Sequence, residues 1–112
     1  MEVQSERIGG VVVLVPTGPL DLSSCDPLAR TLADLVARGE VRLVVDLTEV
    51  PLLDSAGLGT LVQGMKQARA AGGDLRLCGV QPEIRSVLVL TGLTKRLLVY
   101  ADRAEAVAFA ER

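Results

Sequence analysis

Ser55 stands in the one stretch of this chain whose residue types and spacing could do chemistry, Val50-Pro51-Leu52-Leu53-Asp54-Ser55-Ala56-Gly57-Leu58-Gly59. A strand-like apolar run precedes it and helical spacing follows, so Ser55 falls at or just before a helix N-terminus. The first backbone N–H groups of a helix lack helical partners, and the helix dipole favours negative charge at that end. A phosphate on Ser55 would find donors waiting. Gly57 and Gly59 have no side chains, so another protein's backbone could approach closely there. A plainer role fits the same residues: Ser55 or Asp54 caps the helix, which is far commoner for such a serine than regulation.

Other chemistries fit less well. Ser55 is outside any Gly-x-Ser-x-Gly elbow, and the chain has no histidine to activate it, which speaks against a small serine hydrolase. The glycines are not followed by Lys-Ser/Thr, so they do not form a P-loop. Asp21 and Asp54 could hold Mg²⁺ in principle, but two carboxylates make a poor ligand set. Cys25 and Cys78 are far apart, lack metal-ligand spacing and read as small buried or half-buried thiols in a reducing cytosol. No cofactor or metal is implied.

The elements that position Ser55 come from an alternating pattern. The 112 residues suit one domain. Apolar residues make up 49% and aromatics 2%, so the core must be built from Leu, Val, Ile and Ala. A weak strand over 3–8 and a Gly9-Gly10 turn lead to a strand over 11–15, closed by Pro16-Thr17-Gly18-Pro19. Asp26 is expected to cap the first helix, with Pro27 in its first turn, Leu28, Leu32, Leu35 and Val36 inward, and Gly39 at its end. Ser23-Ser24 looks like a second serine site, but reads rather as the beginning of that helix. A buried strand follows over 41–47. The second helix runs over about 56–71, with Leu58, Leu61, Val62 and Met65 inward and Thr60, Gln63, Gly64 and Gln67 outward, and Gly72-Gly73 stops it. A strand over 75–80 precedes a third helix opened by Pro82, with Ile84, Val87 and Leu88 inward and an end near Gly92. A strand over 97–100 and a final helix capped by Asp102, with Glu105 three residues on, complete the chain. Ser86-Val87-Leu88-Val89-Leu90 is apolar nearly all round. It reads as core, or, with Val89 or Leu90 exposed, as a partner patch. Glu111-Arg112 reads as a frayed end. The expected fold is α/β: a mixed sheet of about five strands with about four helices, one domain over 1–112.

Net charge of −2 with scattered Arg and Lys excludes a basic stripe, and the scarcity of aromatics argues against base stacking, so direct nucleic-acid binding is not expected. The apolar run over 11–15 is too short to span a bilayer, and Met1-Glu2-Val3-Gln4 does not read as a signal peptide. The expected location is cytoplasmic, without membrane attachment.

Asp54-Ser55-Ala56-Gly57-Leu58-Gly59, after Leu43-Val44-Val45-Asp46-Leu47, resembles the signature of STAS-domain anti-sigma factor antagonists. Gly18-Pro19-Leu20-Asp21 is similar to that family's Gly-x-Leu-Asp turn, Gly72-Gly73-Asp74-Leu75 to its step into the fourth strand, and Thr91-Gly92-Leu93 to its late turn. The likeness runs through nearly the whole chain. It implies a non-enzymatic bacterial regulator of transcription. The serine after the aspartate, here Ser55, would be phosphorylated by an anti-sigma factor serine kinase. The unphosphorylated form would bind that kinase and free a sigma factor, and a PP2C-type phosphatase would reset the switch. The partner-binding residues implied are Asp21, Asp54, Ser55, Gly57, Leu58, Gly59, Thr60 and Gln63. Ala56 stands where many members carry a second hydroxyl, leaving Ser55 the one clear target. Pro19 replaces a frequent acidic residue and stiffens the turn. Other STAS settings, a subunit of an ABC-type lipid-transport complex or a stressosome-like scaffold, are the alternative.

Overall fold

The computed structural model describes residues 1–110; Glu111-Arg112 lies outside the described residues. Strands β1 (Glu2–Ile8), β2 (Val11–Thr17), β3 (Arg42–Asp46), β4 (Asp74–Cys78) and β5 (Val99–Tyr100) form one sheet in sequence order. β1 pairs antiparallel to β2 and every later pairing is parallel. Helices α1 (Asp26–Ala37), α2 (Ser55–Ala70), α3 (Pro82–Leu90) and α4 (Arg103–Ala110) connect or close the strands. The mixed five-stranded α/β architecture expected from the sequence is the one observed.

β2 and β3 are apolar at consecutive positions because both sheet faces are covered. Val12 and Leu14 of β2, Leu43 and Val45 of β3, and Leu75 and Leu77 of β4 meet Leu28, Leu32, Leu61, Met65, Ile84 and Leu88 from α1, α2 and α3. Val11, Val13, Val44 and Cys78 point the other way, onto Ala106 and Val107 of α4. Each fully buried Leu or Val contributes about 1.5–3 kcal/mol of transfer free energy. An aliphatic two-faced core can therefore hold the sheet without aromatics. Burial and the nearby Asp46 charge push the Cys78 thiol up to about 12, so it stays protonated and inert. Both cysteines are free and buried, as expected.

α4 is fixed to the sheet by an ion pair. Arg103 donates to Asp46 Oδ2 at 3.0 and 3.2 Å and to Glu6 Oε2 at 3.0 Å. Burial pushes the Asp46 carboxyl up, but hydrogen bonds from Thr48 and the Arg103 guanidinium outweigh it and hold it below the usual carboxylate range. Asp102 caps α4 by accepting from the Glu105 N–H at 2.9 Å. Gly39 and Gly72 end α1 and α2 with positive φ, and in both the next residue's N–H reaches back to the carbonyl five residues earlier.

Several expectations are corrected. Asp26 does not cap α1; Cys25 holds that position, with no side-chain cap bond, and Asp26 is the first helical residue. The chain has already turned before it, because Ser24 and Cys25 N–H groups bond the Asp21 carbonyl. Pro16 and Thr17 extend β2, since the ladder with β3 covers only Val12–Leu14 and needs no donor from Pro16. Val87 is exposed, because Ile84 and Leu88 alone face the core on the short α3. Gly64 faces inward: a side chain there would press on Leu32 and Leu75, so it lets α1 and α2 close. The last strand keeps only two residues, as Leu93–Lys95 forms a 3₁₀ turn before it.

Candidate functional site

The site lies where the loops leaving β2 and β3 meet, at the C-terminal end of the parallel strands. The two loops are sewn together by backbone bonds. Gly18 N–H donates to Glu49 O at 3.0 Å, Leu20 N–H to Leu52 O at 2.9 Å, and Asp54 N–H to Leu20 O at 3.3 Å, around a parallel bridge between Leu20 and Leu53. Gln81, just before α3, donates to the carbonyls of Thr48 and Val50 and steadies the second loop.

Asp54 is the helix cap. Its Oδ1 accepts from the Gly57 N–H at 2.9 Å, and its backbone carbonyl accepts from Leu58. Its Oδ2 accepts from the Leu22 N–H at 3.1 Å, so one carboxylate caps α2 and clasps the β2–α1 loop. Ser55 is the first helical residue and is exposed. Its hydroxyl has no hydrogen-bond partner among the described residues, and neither do the N–H groups of Ser55 and Ala56. The capping role left open by the sequence thus belongs to Asp54. The hydroxyl beside it is free, next to two unused donors at the positive end of a 16-residue helix.

Asp21 holds its own loop. Its Oδ1 accepts from the hydroxyls of Ser23 and Ser24 at 2.8 Å each and from the Ser23 N–H at 3.1 Å. The hydroxyl bonds from Ser23 and then Ser24 hold this carboxyl below its ordinary value. It is therefore ionised at neutral pH, one residue from the Leu22 that Asp54 clasps. Both serines serve this turn, and neither begins α1, which starts at Asp26.

Of the residues expected to meet a partner, Gly59, Thr60 and Gln63 line a groove of about 300 Å³ between α1 and α2, beside Ala29 and Ala56. A side chain at Gly59 would meet nothing within 4 Å, so the surface there is open. Gly57 is different and its expected role is corrected. It is buried, and a methyl group on it would overlap the Leu20 carbonyl oxygen and lie 2.9 Å from the Leu20 carbonyl carbon and Cγ. The backbone that approaches Gly57 is the protein's own. Leu58 packs half-buried against the core. Sequence reasoning missed two exposed leucines on these loops, Leu22 and Leu52. A leucine inside the polar turn Asp21-Leu22-Ser23-Ser24 was the available signal.

The division of labour between Asp54 and Ser55 has a measurable consequence. Asp54→Ala is expected to cost about 1–2 kcal/mol, through loss of the cap. Ser55→Ala is expected to stay within about 0.5 kcal/mol of wild type. Urea denaturation followed by circular dichroism checks both; an equal loss in the two variants would make Ser55 structural.

A family profile described as the STAS domain matches residues 2–106. The chain belongs to the STAS domain family. BtrV of Bordetella bronchiseptica, provisionally named an anti-sigma factor antagonist, is 31% identical over 108 residues, covering 96% of this chain and 93% of that protein. The crystal structure of an anti-sigma factor antagonist from Mycobacterium paratuberculosis superposes with a TM-score of 0.89 at 25% identity, covering 99% of this STAS domain and 94% of that chain. The phosphorylated form of the Bacillus cell fate determinant SpoIIAA shares the fold, with a TM-score of 0.75 at 23% identity over 96% of this chain and 97% of that one. Among the described residues no helix of this STAS domain is long and apolar enough to cross a membrane. Nor does any group of three or more His, Cys, Asp or Glu side chains there converge as a metal site.

Proposed function

We propose that this STAS domain is an anti-sigma factor antagonist whose binding is switched by phosphorylation of Ser55. The observation that carries the reading is the free, exposed Ser55 hydroxyl at the first position of α2, with Asp54 doing the capping. In the unphosphorylated state the chain binds an anti-sigma factor kinase and releases the sigma factor. The kinase brings ATP and the base, consistent with a chain that has no histidine. Transfer of the γ-phosphoryl group to Ser55 Oγ turns binding off, and a PP2C-type phosphatase hydrolyses the phosphoserine. The names of the Bordetella and Mycobacterium relatives support the antagonist role.

A pull-down from the source cytosol with and without ATP, read by mass spectrometry, identifies the kinase. Incubation with that purified kinase and ATP is then expected to add one phosphate, at Ser55. Ser55→Ala is expected to take up none. Undiminished phosphorylation of Ser55→Ala would sink the assignment.

A further inference from the structure

Large apolar side chains are poor company for water, yet Leu22 is 79% and Leu52 is 55% exposed. They stand on the two loops sewn together beside Ser55. Leu52 is three residues before it. Leu22 is held by the Asp54 carboxylate that immediately precedes it. Both positions are stiff: Leu52 follows Pro51, its carbonyl is bonded by Leu20, and Pro19 precedes Leu20. Little conformational freedom is left to lose on binding, so contact area there converts efficiently into affinity.

The two loops that carry this pair, with the strand ends and helix starts they join, are charged in one sense. Segments 17–29 and 43–65 contain no lysine or arginine, while Asp21, Asp26, Glu49 and Asp54 lie on them at least partly exposed. Asp46, the remaining acid of these segments, is buried and already paired with Arg103. An apolar centre with an acidic rim disfavours a second copy of this chain, because the same carboxylates would face each other. It fits an apolar pocket rimmed by Arg or Lys, which gains contact at the centre and steering at the edge.

We propose that Leu22 and Leu52 form the apolar anchor by which the anti-sigma factor kinase docks, through a basic-rimmed hydrophobic pocket, before it reaches Ser55. This rests on the reading of Ser55 as the switch. Docking and phosphoryl transfer then separate: the leucines set how tightly the kinase holds the chain, and the hydroxyl sets whether it can be modified.

The test uses the full chain and the purified kinase that phosphorylates Ser55. Leu22→Ala and Leu52→Ala are each expected to raise Kd about tenfold and to raise KM for phosphorylation, with kcat unchanged. The fold should persist, as both side chains are at the surface. Leu90→Ala, at a still more exposed leucine on α3, is expected to bind like wild type. Raising salt from about 50 to about 500 mM should weaken wild-type binding, since exposed charges are screened over roughly 10 Å or less. Wild-type affinity in Leu22→Ala and Leu52→Ala, with Ser55 still modified, overturns the anchor and leaves the switch standing. An affinity loss in Leu90→Ala equal to theirs overturns it too. Failure of any kinase to modify Ser55 removes the switch and the anchor together. A concentration-dependent dimer of the chain that Leu22→Asp dissociates, seen by analytical ultracentrifugation, assigns the patch to a second copy instead.

Discussion

Phosphorylation of Ser55 is expected to weaken binding to the kinase by at least tenfold while leaving the circular dichroism spectrum unchanged. A phosphoserine carries about −1.5 to −2 charges at neutral pH. In the free protein the unused N–H groups of Ser55 and Ala56 and the positive end of α2 can receive it, so the fold need not move. In the complex, a surface shaped for a hydroxyl must accommodate three more oxygens. Desolvating a charge without a partner costs several kcal/mol, and about 1.4 kcal/mol is already tenfold. The basic rim proposed for the kinase would attract the phosphate, but exposed ion pairs contribute only about 0–1 kcal/mol. Overlap and desolvation therefore win. Ser55→Asp should reproduce the effect in part, because a carboxylate is smaller and carries one charge. Ser55→Ala should bind like the unphosphorylated protein and act as a permanently active antagonist. Calorimetry that finds equal affinity for the phosphorylated and unphosphorylated forms would end the switch model, even with Ser55 as the modified residue.

Gly57→Ala is expected to destabilise the domain by about 1–3 kcal/mol, the range for forcing an extra methyl into a packed site. The atoms it meets are the backbone of Leu20, which cannot swing away like a side-chain tip. Relief must come from parting the two loops, which strains the Leu20–Leu52 and Leu20–Asp54 bonds and the Asp54 clasp on Leu22. Gly59→Ala, two residues on and in open space, should go the other way. Alanine is favoured over glycine in a helix interior by about 0.5–1 kcal/mol. Thermal unfolding distinguishes them, since 1 kcal/mol moves Tm by roughly 4–8 °C in a domain of about this size. A stable Gly57→Ala protein would mean that the loops are not held as described. A Gly59→Ala protein that gains stability but loses kinase affinity would identify Gly59 as a point of close approach.

By itself the sequence determined the order of elements and the place of Ser55. Both follow from local rules: β-branched runs for the strands, Leu28 and Leu32 or Leu61 and Met65 at helical spacing, and glycines at helix ends. The STAS resemblance was legible for the same reason, as its motifs are contiguous stretches. Only the tertiary structure decided between Asp54 and Ser55 as cap. Neighbouring Asp and Ser are both good caps, and the choice turns on where the Leu22 N–H arrives from another loop, 32 residues away. The roles of the glycines were decided in the same way. Gly57, Gly59 and Gly64 are alike in sequence, but one lies under the Leu20 carbonyl, one faces solvent and one lets α1 close on α2. Exposure was the other quantity hidden from the sequence. Val87 fits an apolar helix face, and only a polar turn around Leu22 hints at its exposure, yet both point outward, because burial depends on which neighbours the fold brings and not on the residue alone.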